Sequence, residues 1–281
     1  MKTLFYKCIL LCSLTGLLIC CNTGTKMDLD NKIQFDSISV EKTYHFFEVD
    51  TNPKCSLQVN FIYPVDYTNH ELLNLIQQHF ISCFFGDAYV NLPPGEAVEK
   101  YAGDFINEFK EEEKNFKIDV ENHGFEMDET WYVKEQSTSG KIVYNRNDLL
   151  SFVVFKEFYF GGAHGGHQYN NCVIDLKTGR KITEDEIFIN DYQDDLAKII
   201  VDAIASSNNV EITELEDIGF FNVNEIYPNK NFFVDETGIT FTYNEYDIAA
   251  YVVGAVSVQI EYAKILHLMR RDSPISEIAF R

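Results

Sequence analysis

Residues 159–167 form a glycine-rich run, Tyr-Phe-Gly-Gly-Ala-His-Gly-Gly-His. This run directly follows an apolar, strand-like segment. Glycine adopts positive φ and lets other groups approach the backbone closely, so a chain built this way must leave a strand and turn tightly. Loops placed by a rigid scaffold often carry function. We therefore single out a candidate ligand-binding or structural loop, comprising Gly161, Gly162, His164, Gly165, Gly166, His167 and Tyr169.

Patterns typical of strands and helices occur along the rest of the chain. Clusters of β-branched and aromatic residues predict strands at 42–50, 55–63, 131–137, 149–160, 171–176, 231–234, 239–243 and 253–263. Apolar residues at helical spacing predict helices after residues 68, 94 and 191. The sequence thus predicts an α+β fold, with two mixed strand and helix subdomains made of antiparallel sheets and packed helices.

We place the division between the two subdomains near residues 138–148. The stretch Ser137-Thr138-Ser139-Gly140 lies at the start of this region and predicts a softer chain. The expected units are a companion α+β domain at residues 35–137 and a second α+β domain at residues 148–268.

The first 20 residues are expected to be a secretory leader. Lys2 and Lys7 flank the start of an apolar run at 8–19, and these 12 residues are too few to span a bilayer, which needs about 20. The letters Leu-Ile-Cys-Cys at 18–21 resemble a bacterial lipobox, which implies a diacylated, membrane-anchored Cys21. An ordinary secretory signal is the alternative. Residues 21–34 then form a tether, and Asn22 after the anchor favours the outer membrane in a diderm cell.

Three further cysteines remain beyond the leader and Cys21, namely Cys55, Cys83 and Cys172. An odd number is a poor disulfide framework, and the spacing matches no zinc motif. We expect thiols in the core and at most one bridge, and the sequence does not indicate which pair would form it.

The chain is strongly acidic, with 44 acidic residues against 23 basic ones and a formal net charge of −21. Such a charge disfavours nucleic-acid binding and favours encounter with a cationic partner. Simple solubility of an exported protein is the alternative explanation.

The sequence contains no recognisable catalytic or metal-binding motif. His164 and His167 are three residues apart, but the surrounding glycines disfavour a helix, and no compact third metal ligand follows. There is no Gly-x-Ser-x-Gly, no His-Glu-x-x-His and no Cys–His signature. We therefore expect neither catalysis nor a metal or other cofactor.

Three stretches together resemble one known family: Phe160–Gly165, Asp175–Arg180, and Tyr246–Tyr251 with Gly254. They are similar to the extracellular domain shared by RsiV-type anti-sigma factors and PdaC-type peptidoglycan deacetylases, a domain largely of unknown function. The family motif positions in this chain are Asp175, Gly179, Tyr246, Asp247, Tyr251 and Gly254. The family more often has Glu where Asp247 stands.

The resemblance implies binding in the bacterial envelope, because the anti-sigma members use this region to sense lysozyme. A sigma-binding segment and a catalytic deacetylase domain are not recognised in the sequence, so those two activities are not carried over. We expect a non-catalytic, envelope-anchored binding lipoprotein whose partner is a cationic protein such as lysozyme, or peptidoglycan glycan. The alternative is an enzyme or accessory factor that acts on peptidoglycan.

Overall fold

The computed structural model describes residues 31–123 and 128–281. The predicted leader and the anchor at Cys21 lie outside the described residues, as does most of the predicted tether. The strands are β1 Gln34–His45, β2 Lys54–Asp66, β3 Lys134–Arg146, β4 Leu149–Tyr159, β5 Gly166–Asp175, β6 Arg180–Lys181, β7 Phe232–Val234, β8 Gly238–Tyr243 and β9 Val256–Glu261. The helices are α1 His70–Phe85, α2 Pro94–Lys110, α3 Glu113–His123, α4 Glu184–Ile187, α5 Gln193–Asn208, α6 Tyr262–Ile265 and α7 Ser276–Ala279.

The predicted α+β class is confirmed. Strands β1 to β6 form one six-stranded sheet in sequential order, and β7 to β9 form a three-stranded antiparallel sheet. The prediction of antiparallel pairing throughout was wrong at one place, because β2 and β3 are parallel. Parallel neighbours need a long crossover, and α1, α2 and α3 supply it between these two strands.

The large sheet continues through the stretch that the sequence suggested as a softer boundary. Residues 138–146 belong to β3, which pairs with β2 on one side and with β4 on the other. The glycine at position 140 has a packing reason, because a Cβ there would lie 2.5 Å from the ring of Phe84 on α1. The division into two domains stays a prediction.

Helices α1 and α2 cover one face of the large sheet. Strand β2 alternates as a half-buried strand should, with Leu57, Val59 and Phe61 turned into this core. On α1, Phe80 stacks on Phe152 of β4 with ring centroids 3.9 Å apart. These contacts fix the helical layer on the sheet and leave the opposite face to be covered by other elements.

The small sheet covers only part of that opposite face. Leu149 and Val173 of the large sheet join a second core that contains β7 to β9 and α5. The Ser151 hydroxyl donates to the Val234 carbonyl at 2.8 Å and fastens β7 across β4. Toward the other ends of β4 and β5 the same face remains open, and this open area holds the candidate site.

Candidate functional site

The glycine–histidine loop, residues 160–165, joins β4 to β5. Gly161 and Gly162 have φ of +80° and +90°. A Cβ on Gly161 would lie 2.3 Å from the Trp131 carbonyl oxygen, so the loop backbone lies directly against that of Trp131. The Tyr159 hydroxyl donates to the Gly162 carbonyl at 2.8 Å. Glycine is needed here for both backbone conformation and close approach.

The other two glycines of the run lie against β4. A Cβ on Gly165 would be 2.6 Å from the Phe158 carbonyl oxygen, and one on Gly166 would be 2.7 Å from the Phe158 ring. Gly166, His167 and Tyr169 were grouped with the loop in the sequence analysis, but they form the first part of β5. Pairing with β4 sets this earlier start, because Phe158 pairs with Gly166.

His164 is exposed and takes part in a stack of aromatic rings. Its ring lies 3.9 Å, centroid to centroid, from that of Tyr251, at an interplanar angle of 23°. Nδ1 is 2.9 Å from the Gly165 carbonyl oxygen, which can only accept, so Nδ1 carries a proton. Nε2 is 3.4 Å from the Tyr246 hydroxyl, and the Tyr246 ring lies 5.8 Å from that of Tyr251. We call His164, Tyr246 and Tyr251 the aromatic rim.

His167 has a different environment. Glu245 accepts a hydrogen bond from the His167 backbone N–H at 3.0 Å, and its other oxygen lies 2.7 Å from Nδ1. The Glu245 side chain is only 10% exposed. On the far side of the ring, Nε2 is 3.8 Å from an oxygen of Glu157. The imidazole also stacks over Phe155, so its orientation is fixed from several directions.

A groove of about 700 Å³ occupies the open sheet face beside these histidines. Cross-strand register builds it, because Glu41 pairs with Gln58, Gln58 with Ser137, Ser137 with Glu157, and Glu157 with His167. The residues that line the groove are Glu41, Thr43, Lys54, Ser56, Gln58, Glu135, Gln136, Ser137, Glu157, Phe158, Tyr159, Gly165, Gly166, His167 and Tyr251.

The charged side chains of the groove are mainly acidic. Glu41, Glu135 and Glu157 come from three different strands, and Lys54 lies 3.6 Å from Glu135 in an ion pair. Exposed rings flank the groove: Tyr246 of the aromatic rim is 56% exposed. Such a surface offers hydrogen-bond acceptors and negative charge on its floor and flat apolar area on its edge.

The chain is similar to proteins of two described families. A family model described as "Protein of unknown function (DUF3298)" matches residues 185–263, and one described as "Deacetylase PdaC" matches residues 50–167. A solved DUF3298 family member from Bacteroides fragilis is 30% identical, with a TM-score of 0.83, over 89% of this chain and 98% of that chain. The chain belongs to the DUF3298 family.

The family expected from the three sequence motifs is thereby confirmed. A solved DUF3298 protein from Pseudomonas aeruginosa has the same fold at 11% identity, with a TM-score of 0.59 over 86% of this chain and 97% of that chain. No curated protein matches this DUF3298 chain. The glycine–histidine loop lies within the match to the PdaC model rather than within the DUF3298 match, although we had assigned it to the second domain.

The motif around Asp175 has a structural place in this DUF3298 protein. The Asp175 carboxylate accepts from the Lys177 N–H and from the Thr178 hydroxyl, both at 2.9 Å, and so shapes the turn into β6. Gly179 has φ of +70°, and its carbonyl oxygen lies 3.1 Å from Nε2 of His79 on α1. This motif therefore connects the sheet edge to a helix, away from the groove lining.

The motif around Asp247 shapes the turn that carries the groove contacts. The Asp247 carboxylate accepts from the Asn244 N–H at 2.7 Å, and Tyr246 between them has φ of +68°. Glu245 lies in the same turn and reaches His167. Gly254, with φ of +77°, ends the short helical turn that begins at Tyr251. Asp247 thus positions Tyr246 of the aromatic rim through the backbone.

Tyr169 is held by the same turn. Its backbone N–H donates to the Asn244 side-chain oxygen at 2.7 Å, and its carbonyl accepts from the Asn244 amide at 3.3 Å. Sequence reasoning missed Asn244 and Glu245, although they are the two residues before the motif residue Tyr246. It also missed the acidic groove, because its carboxylates are far apart in sequence.

Within residues 31–123 and 128–281, no group of three or more His, Cys, Asp or Glu side chains is placed to hold a metal ion. None of the helices in this part of the chain has the length and apolar character needed to cross a bilayer.

Proposed function

We propose that this DUF3298 protein is a binding protein of the bacterial cell envelope, and that the groove and aromatic rim receive a basic protein such as a lysozyme. One observation carries the proposal: carboxylates from three strands lie on one open sheet face beside exposed, stacked rings. The net charge of −21 extends the same electrostatic preference over the whole chain. Anchoring through Cys21 would hold this surface in the envelope, where such enzymes act.

The two parts of the surface have complementary roles in such binding. Exposed carboxylates steer a cationic partner and raise its association rate more than they add to affinity. Tyrosine and histidine rings supply a flat contact area of the kind that anchors interfaces. Since Glu245 fixes the His167 ring and Asp247 fixes the turn that carries Tyr246 before a partner arrives, little ordering of these groups is needed on binding.

A lysozyme assay tests the proposal. The full chain should co-precipitate with a purified basic lysozyme and slow its action on peptidoglycan, and both effects should weaken from low to moderate salt. Replacing Glu41, Glu135 and Glu157 with Gln should raise the Kd by roughly 3- to 160-fold, because each exposed charge contributes about 0.2–1 kcal/mol.

A matched control separates the groove from bulk charge. Changing Asp194, Asp202 and Asp217 to Asn removes the same number of exposed carboxylates from positions outside the groove lining. This variant should bind much as the unmodified chain does. Absence of binding and inhibition, or an equal loss in both variants, would remove the groove from the proposal.

A second candidate function, an enzyme or accessory factor that acts on peptidoglycan, is favoured by His167. A nearly buried carboxylate, Glu245, orients this imidazole through Nδ1, and a general base is commonly held in this way. The other ring nitrogen, Nε2, lies on the side of Glu157. The match to a model described as deacetylase PdaC also favours this second function.

Incubating muropeptides with the full chain and with His167→Asn, followed by mass spectrometry, tests whether the protein acts on peptidoglycan. A product formed only by the unmodified chain supports catalysis, and unchanged muropeptides count against it.

A further inference from the structure

Helix α1 packs on β5 so that Cys83 and Cys172 are neighbours. The Asn170 side-chain amide of β5 donates to the Cys83 carbonyl at 3.1 Å. One helical turn before Cys83, Phe80 stacks on Phe152, which is the cross-strand partner of Cys172. Residues three apart share a helix face, so Cys83 lies on the side of α1 that faces Cys172. Both thiols are free, and they interact with each other through their side chains.

The two thiols differ in access to solvent. Cys172 is completely buried, whereas Cys83 is partly exposed and lines a polar cleft of about 490 Å³. Lys181 of β6 lines the same cleft. The interaction with Cys172 lowers the pKa of the Cys83 thiol, and the Lys181 ammonium lowers it further, against the opposing effects of burial and of the Asp87 carboxylate. A partly exposed thiol beside a cation is the usual setting of a reactive cysteine.

We propose that Cys83 and Cys172 form a redox pair, in which Cys83 attacks a disulfide that enters the cleft and Cys172 resolves the mixed disulfide. The Cys83 thiolate attacks one sulfur of the disulfide, a mixed disulfide forms, and the other sulfur leaves and takes a proton. The Cys172 sulfur then attacks Cys83, giving an intramolecular bridge and releasing the second thiol. Two protein thiols are oxidised and one disulfide is reduced to two thiols, so atoms and electrons balance.

The bridge would alter how two layers of the protein are joined. It would fasten the C-terminal end of α1 to β5, the strand that carries His167 at its other end. Cys55 offers an internal comparison, because burial raises the pKa of its thiol to about 11 and it is fully buried.

Oxidised glutathione is the probe for this proposal. The purified full chain is equilibrated with oxidised glutathione, quenched in acid and alkylated. It is then digested with chymotrypsin, which cuts between Cys55 and Cys83, and its disulfides are mapped by mass spectrometry. We expect a bridge between Cys83 and Cys172, with Cys55 still a thiol. Cys172→Ala should trap glutathione on Cys83, and Cys83→Ala should leave Cys172 unmodified. The matched control Cys55→Ala should still form the bridge.

Two results would overturn the proposal. One is that Cys83 and Cys172 both remain alkylatable thiols in the unmodified chain after equilibration, a result that does not depend on the folding of any variant. The other is that glutathione accumulates on Cys83 equally with and without Cys172, because a resolving thiol must remove it. Far-UV circular dichroism of each variant identifies any that fails to fold.

Discussion

Glu245 binds His167 at two points, through the backbone N–H at 3.0 Å and through Nδ1 of the ring at 2.7 Å. The contact joins the turn after β8 to the first residues of β5, two segments that are 78 positions apart in sequence. Because the carboxylate is nearly buried, it positions the imidazole at the edge of the groove and links the two sheets there.

Replacing Glu245 with Ala should lower the free energy of unfolding by about 1–3 kcal/mol, because two hydrogen-bond donors lose their partner. Urea denaturation of the full chain measures this. Glu157→Ala is the matched control. Its side chain is 61% exposed and 3.8 Å from the same ring, so it should change stability by only about 0.5 kcal/mol. Equal effects of the two changes would contradict the role assigned to Glu245.

Gly161→Ala should destabilise the protein more than Gly162→Ala. Both glycines have positive φ, so both changes cost backbone strain. Only the Gly161 Cβ would meet backbone, at 2.3 Å from the Trp131 oxygen, whereas at Gly162 the nearest atom is 3.7 Å away. We expect a further loss of about 1–3 kcal/mol at Gly161 by chemical denaturation. Similar losses at both positions would show that the Trp131 contact adapts readily.

Glu184 should make stability depend on pH. Burial raises the pKa of its carboxyl, although hydrogen bonds from Tyr192 and from the Lys230 N–H oppose this effect. The folded state therefore favours the protonated form. This contribution is fully present below the ordinary glutamate pKa of about 4.3, and it is lost as the pH rises through the raised value.

The comparison with Glu184→Gln tests that sign. The stability of the unmodified chain relative to this variant should fall as the pH rises from about 4 to about 7. A relative stability of the unmodified chain that increases with pH would contradict the prediction.

Cys21→Ala should release the exported protein from membranes into the soluble fraction, because diacylation of Cys21 is the anchor that the sequence predicts. Membrane fractionation with detection of the full chain is the measurement. Cys20→Ala is the matched control and should remain in the membrane fraction. Retention of the Cys21 variant would refute the predicted anchor.

Local signals predicted much of the fold. Thr183 and Glu186 form the capping box that a Thr-x-x-Glu spacing predicts, and Gly86 ends α1 with φ of +97°, as glycine commonly does. The stretch around Gly140 was harder, because small polar residues predict a loop unless a neighbouring ring, here Phe84, needs the space.

The site was less predictable than the fold. The glycine–histidine run marked its position, yet the groove depends on strand register across β1 to β5. Glu41, Glu135 and Glu157 meet only because a helical crossover places β3 between β2 and β4. The Glu245–His167 contact also depends on the docking of the small sheet. A single sequence carries no local signal for such long-range pairings.

Hydrogen–deuterium exchange on the full chain, with and without a basic lysozyme, tests the proposed binding surface most directly. We expect slower exchange in peptides that cover residues 157–167 and 246–254, and unchanged exchange in α5, which lies outside the groove lining. Unchanged exchange in both segments at saturating lysozyme, or protection confined to α5, would contradict the assignment of the groove and aromatic rim as the binding surface.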